Sequence, residues 1–201
     1  MVKPNRTVPG NILKAAIFLT LLSSPSCQTH QYFVVHQSDQ VRVVLREMPA
    51  GYPAIPPLQH PYTIQPREIF EILASLNYDT GSFLPFSRSH PRSLLTKPQA
   101  EVLAPELSKA LTLALPQQVA AFMITDTEKP DRRTKGLAFV LDDELHMIIE
   151  ELHRPRYEGE QPTYQQPLSR WNLLTAGKQR HYARHPEGKG AMTNWIITPL
   201  Q

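Results

Sequence analysis

Twenty of the 201 residues are proline, about twice the usual share, and they decide which windows of this chain are free to become regular structure. Proline lacks a backbone N–H and fixes φ, so helix interiors and central strands exclude it. Here the prolines gather in connections, five of them between Pro49 and Pro61. That stretch reads as an extended, polyproline-like connection, or as a groove ligand for a partner. The windows between prolines keep clear periodicities. This is the pattern of an ordered domain with stiff loops.

Tyr32 to Gln37 and Val41 to Glu47 read as two strands joined at Ser38-Asp39, with Val41, Val43 and Leu45 alternating with Arg42 and Arg46. Pro66 suits the first turn of a helix, in which Ile69, Ile72, Leu73 and Leu76 recur on one face. Thr96 and Gln99 form a capping box for a second helix that runs through Leu103, Leu107 and Leu111 to Pro116. Pro105 is expected to kink that helix or split off its first turns. Val119 to Asp126 reads as a strand, and Gly136 to Leu152 as a hairpin turning at Asp142-Asp143. "RWNLL" and "TNWIITPL" look like further strands, and "YEGEQPTYQQPLSR" is irregular. The order predicts an α+β domain: a mainly antiparallel sheet with two amphipathic helices packed on one face.

The first 26 residues carry Lys3, Arg6 and Lys14 and no acid, then an apolar run from Ala15 to Leu22, then small residues from Ser23 to Ser26. That layout predicts a secretory signal peptide. The run is too short to span a bilayer, which takes about 20 apolar residues. A buried N-terminal helix is the alternative, and Pro4, Pro9 and Gly10 count against it. The only cysteine, Cys27, follows directly. No intramolecular disulfide can therefore hold the fold, and an unpaired thiol in an exported protein is an oxidation liability.

"LLSSPSCQTH" resembles the lipobox of bacterial lipoproteins, in which small residues precede a cysteine that is lipidated on sulfur. Ser26 fills the small site; Ser24 stands where the family usually has leucine. Ser24 and Ser26 also fit the small-x-small pattern of ordinary signal cleavage, which would leave Cys27 a free thiol on a secreted protein. The resemblance implies a signal peptide over 1–26, a lipid on Cys27 that fixes the chain to a membrane, a tether over 27–31 and a single periplasmic domain over 32–201. Gln28, in place of the aspartate that retains such proteins at the inner membrane, implies the outer membrane. "HPYTIQPREI", "LAPELSKAL" and "LHMIIEELHRP" also resemble stretches of bacterial lipoproteins of unassigned function.

Lys and Arg number 21 against 18 Asp and Glu, which invites a nucleic-acid reading. Three of the basic residues lie in the first 26, however, and none of the acids does. The remainder balances to zero and has no global field to hold polyphosphate, so no nucleic-acid partner is expected. Two local basic spots remain, "SRSHPR" (Ser87 to Arg92) and "DRRTK" (Asp131 to Lys135), which read either as anion sites or as solvated loops.

Eight histidines invite a search for chemistry. His181 and His185 share a helical spacing, but Tyr182 stands where a zinc-protease helix has glutamate, and Pro186 follows. His146 and His153, seven apart, are expected on opposite faces of a strand. Glu150 and Glu151, adjacent, are expected to face opposite ways. Asp142, Asp143 and Glu144 suit a tight turn. No serine has the Gly-x-Ser-x-Gly setting, and "GKG" at Gly188 to Gly190 lacks a dinucleotide fingerprint. No catalytic residue, metal ligand or cofactor is therefore assigned. "HRPRYEGE" and "GKQRHYARHPEGKG" suit recognition of a carboxylate, glycan or headgroup, or are plain solvated loops. Trp171 and Trp195 read as anchors of the core or a sheet edge.

Three functions fit these features. The first is a membrane-anchored, non-enzymatic accessory or assembly component of an envelope complex, with an envelope protein as partner. The second is a module for a lipid or small apolar ligand held between sheet and helices. The third is an envelope hydrolase whose site is assembled from distant residues.

Overall fold

The computed structural model describes residues 32–80, 90–155, 171–183 and 190–200. Residues 1–31, on which the expected signal peptide, Cys27 and the expected tether fall, lie outside the described residues, as do His185, Pro186 and residues 156–170. In chain order the elements are β1 (Phe33–Gln37), β2 (Val41–Glu47), α1 (Pro66–Ser75), β3 (Asn77–Asp79), β4 (Arg92–Ser93), α2 (Lys97–Leu113), β5 (Gln118–Thr125), β6 (Arg132–Leu141), β7 (Glu144–Pro155), β8 (Asn172–Leu174), β9 (Arg180–Ala183) and β10 (Ala191–Pro199). Seven strands form one sheet in the order β1-β2-β5-β6-β7-β10-β9, every neighbouring pair antiparallel. With two helices beside it, the domain is α+β with a sheet majority.

Local chemistry explains most element ends. Pro66 occupies the first turn of α1, where its missing N–H costs nothing. Thr96 and Gln99 complete the capping box of α2: Gln99 N–H donates to Thr96 Oγ1, and Thr96 N–H donates to Gln99 Oε1 at 2.9 Å. Asp142 and Asp143, with φ of 54° and 56°, make the two-residue turn between β6 and β7 that matches strand twist. Pro105 does not split α2, which stays helical across it. The reason lies in exposure: Pro105 and Glu101, whose carbonyl loses its partner, both face solvent.

A second, three-stranded sheet in the order β4-β3-β8 was not expected from the sequence. β8 lies within "RWNLL", which reads as a strand, but β3 and β4 run only three and two residues, too short for a period to show, and so the sheet they form with β8 leaves no signal of its own. β9 is a further correction, since residues 180–183 read as loop; it pairs with β10 across an irregular register.

The two-residue alternation of the strands divides the buried side chains into two clusters. One gathers Val43, Leu45, Phe122, Val140, Met147 and Ile149 with Ile69 and Leu73 of α1 and Leu103, Leu107 and Leu111 of α2. The other gathers Val119, Leu137, Phe139, Ile148, Trp195 and Ile197 with Leu58, and Tyr52 and Ile55 pack against it. The proline-rich connection is thus part of the fold. Leu58 N–H donates to Pro116 O (2.8 Å), and Gln59 N–H to Val140 O (2.9 Å). His60, buried, donates from Nδ1 to Gln118 O (2.9 Å) and accepts Val140 N–H at Nε2 (3.0 Å).

β7 carries two extra residues relative to β6. Gly136 faces Ile149 and Lys135 faces Glu151, so Glu150 is supernumerary; Arg133 then faces Arg154, which adds another residue near His153. Each β-bulge puts two successive side chains on one face.

Candidate functional site

The second bulge of β7 creates the site. It places both Leu152 and His153 on the side of the sheet that carries the first cluster. His153 takes a left-handed backbone, φ 47°, a conformation that costs a non-glycine residue free energy and gathers at functional sites. Two neighbours hold it there. Its N–H donates to the buried Thr134 Oγ1 (3.3 Å), and its Nδ1 lies 3.1 Å from Asp126 Oδ2. The Tyr78 ring flanks the imidazole, with centroids 5.9 Å apart.

Asp126 directly follows the β5 strand and organises the connection to β6. Its Oδ1 accepts the N–H groups of Glu128 (2.9 Å) and Lys129 (3.3 Å). Burial by itself would raise the Asp126 carboxyl, but these two N–H groups and His153 outweigh it and hold it below its usual range. The capped loop then presents Lys129 and Arg132.

These residues border an open cleft of about 420 Å³, also lined by Tyr78, Thr80, Arg92, Leu152 and Trp171. Arg92 comes from "SRSHPR" and Arg132 from "DRRTK": two basic stretches forty residues apart meet in one cleft, and Lys129 joins them. Three permanent cations face Asp126 and Glu128 there. Three cations against two carboxylates leave the rim one formal positive charge for an anionic group. Trp171 and Tyr78 add apolar walls.

The remaining sequence candidates fall elsewhere. Glu150 and Glu151 do not face opposite ways. The first bulge puts both on the second cluster's side, where Glu150 accepts from Arg46 (3.2 Å) and Tyr52 (3.4 Å), and Glu151 from Lys135 (3.0 Å) and Arg133 (3.3 Å). Burial pushes the Glu150 carboxyl up against the opposing pull of Arg46 and Lys135. His146 and His153 do fall on opposite sides, because the two bulges cancel in parity. His146 stacks on Phe139 (4.9 Å) and accepts Trp195 Nε1–H at Nδ1 (3.2 Å). Burial, with Arg180 nearby, lowers its pKa to about 4. His181 is a strand residue bonded to Leu173 O (2.9 Å). Trp195 is a core anchor with no exposed surface; Trp171 lines the cleft. Among the described residues no group of three His, Cys, Asp or Glu could hold a metal ion, and no helix is long and apolar enough to cross a membrane.

The sequence marked Arg92 and Arg132 separately but missed the Asp126–His153 pair. No local signal announces it, because the bulge that turns His153 toward Asp126 leaves no period of its own. No family model, curated protein or solved structure matches this chain.

Proposed function

We propose that this chain is a lipid-anchored envelope protein that acts as a non-enzymatic accessory component, recognising an anionic group, carboxylate or phosphate, on an envelope partner. In this reading residues 1–26 are a signal peptide, Cys27 carries the lipid and 28–31 form the tether. Gln28 directs the protein to the outer membrane, facing the periplasm. In the same reading both helices pack on one side of the large sheet, which is supported by the gathering of their apolar residues with those of β2, β5, β6 and β7 in one cluster. The observation that carries the binding role is the meeting of Arg92, Lys129 and Arg132 at one cleft.

Recognition fits this site better than turnover. A His–Asp pair needs a nucleophile or a held water to do hydrolysis. Among the described residues no hydroxyl or thiol hydrogen-bonds to the His153 ring. The strained His153 and its Asp126 partner favour the hydrolase as the second reading. A site for an apolar ligand would have to share the space between α2 and the sheet with Leu103, Leu107 and Leu111, which are fully buried there.

Extraction of native-host membranes in mild detergent tests the proposal. The wild-type protein is expected to bring a stable partner with it. Arg92→Ala with Arg132→Ala should cut that recovery about tenfold or more, since a bond to a charged group is worth about 1.5–3 kcal/mol. Both side chains are at least partly exposed, so the thermal melt should stay within a few degrees of wild type. Undiminished recovery from the double variant would remove the cleft from recognition; a wild-type protein recovered alone would contradict the accessory role.

A further inference from the structure

We infer that the end of the domain where β1 begins rests on the bilayer surface, through a patch built from Tyr32, Phe33 and Val34 together with Leu113, which ends α2, and Leu115 just beyond it. This inference rests on the lipid-anchor reading and goes beyond it, because an anchor alone leaves the domain free to take any orientation.

These five residues are each between 41 and 57% exposed, in a domain whose other large apolar side chains are mostly covered. They are far apart in sequence, yet the topology delivers them to one end of the sheet. β1 pairs antiparallel with β2, and β2 with β5, so β1 and β5 start at the same end. α2 runs back against β5: Gln99 in its first turn bonds Thr125 O at the end of β5 (3.2 Å), and just past its last turn Leu115 O accepts Gln118 N–H at the start of β5 (2.8 Å). The C-terminus of α2 therefore lies over the strand starts.

The lateral position agrees as well. His36 Nδ1 and Glu106 Oε1, 3.4 Å apart, join β1 to α2. From that joint, three residues back along β1 reach Phe33, about 10 Å away, and seven residues along α2 reach Leu113, about 10 Å in the same direction. Phe33 sits opposite Leu45, a member of the first cluster, and so faces the helix side; Val34 sits opposite Val44 and faces the other side. The edge strand thus shows apolar groups on both its faces at this end. The Tyr32 ring meets the guanidinium of Arg42, which reaches it from the far end of β1 opposite Gln37 (5.3 Å to the centroid), and Lys109, exposed one turn before Leu113, supplies the cation at the patch itself.

The tether selects the occupant. Only residues 28–31 separate Cys27 from Tyr32, and four extended residues span about 14 Å. An anchored Cys27 therefore holds this end, and no other, within reach of the headgroups. Aromatic rings with flanking cations are what the interfacial zone accepts. A second copy paired along β1 would also cover Phe33, but it would leave Leu115 without a role.

The test is photolabelling of native-host membranes with a diazirine-bearing phospholipid, read by peptide mass. Label is expected on peptides holding Tyr32–Val34 and Leu113–Leu115, and not on the peptide holding Val102. Val102 is also exposed on α2, but it sits eleven residues before Leu113, about 16 Å further from the surface. Phe33→Ser with Leu115→Ser should lower the label at least threefold. Label absent from both peptides, in protein whose Cys27 peptide carries diacylglycerol, overturns the inference and leaves the anchor standing. If Cys27 is unmodified the anchor reading fails instead. The inference is then decided by flotation of the full chain with phosphatidylglycerol–phosphatidylethanolamine vesicles. Binding lost in the double variant sustains it. No binding, or a dimer lost in that variant, overturns it.

Discussion

Gly136→Val is expected to lower the unfolding free energy by about 3 kcal/mol or more, the upper range for overpacking a core. Gly136 sits on β6 opposite Phe122 of β5 and beside the first bulge of β7. A Cβ there would lie 2.5 Å from Phe122 Cζ and 2.6 Å from the carbonyl oxygen of Ile148. The ring could turn aside at a cost in packing. The carbonyl cannot, because it belongs to the central strands of the sheet. Denaturant unfolding of the variant should show a lower midpoint with an unchanged slope. A midpoint equal to wild type would mean that the β6–β7 register, and the bulges that make the cleft, are wrongly placed.

The second large effect is a loss of stability between pH 6.5 and 4. His146 has a folded pKa of about 4 against an ordinary 6.5, first because burial disfavours its charge and then because Arg180 repels it. In that window the unfolded imidazole takes up a proton and the folded one does not. The unfolded state binds more protons, so stability falls as pH falls, by about 3 kcal/mol for this one group, and the loss ends below its folded pKa. His60 pulls the same way, its pKa lowered chiefly by burial against the two backbone bonds that raise it. Glu150 acts in the opposite sense: its raised pKa lets the folded state take a proton before the unfolded one. His146→Gln keeps an acceptor for Trp195 Nε1–H and should flatten the profile between pH 7 and 4. A slope unchanged by H146Q would place the titration elsewhere.

Much of this architecture is legible in the chain because its causes are local. β2 matches its alternation residue for residue, the Thr96–Gln99 box starts α2, and Asp142-Asp143 turns the hairpin. What stayed hidden is what partners impose. β3, β4 and β9 are two to four residues long and exist only because a distant strand lies beside them, whereas β8 falls within the strand that "RWNLL" predicts. The bulges at Glu150 and His153 are set by pairing with a regular β6, and they reverse the facing that simple alternation assigns to Glu151. The site follows the same division. "SRSHPR" and "DRRTK" each show their charge, but their meeting at Trp171 and Asp126 is a property of the fold.

The most direct test of the central claim is the mass of the N-terminal peptide of the protein taken from native-host membranes. The account predicts a peptide that begins at Cys27 and carries diacylglycerol on its sulfur. A peptide beginning at an unmodified Cys27, or a chain still beginning at Met1, would contradict it.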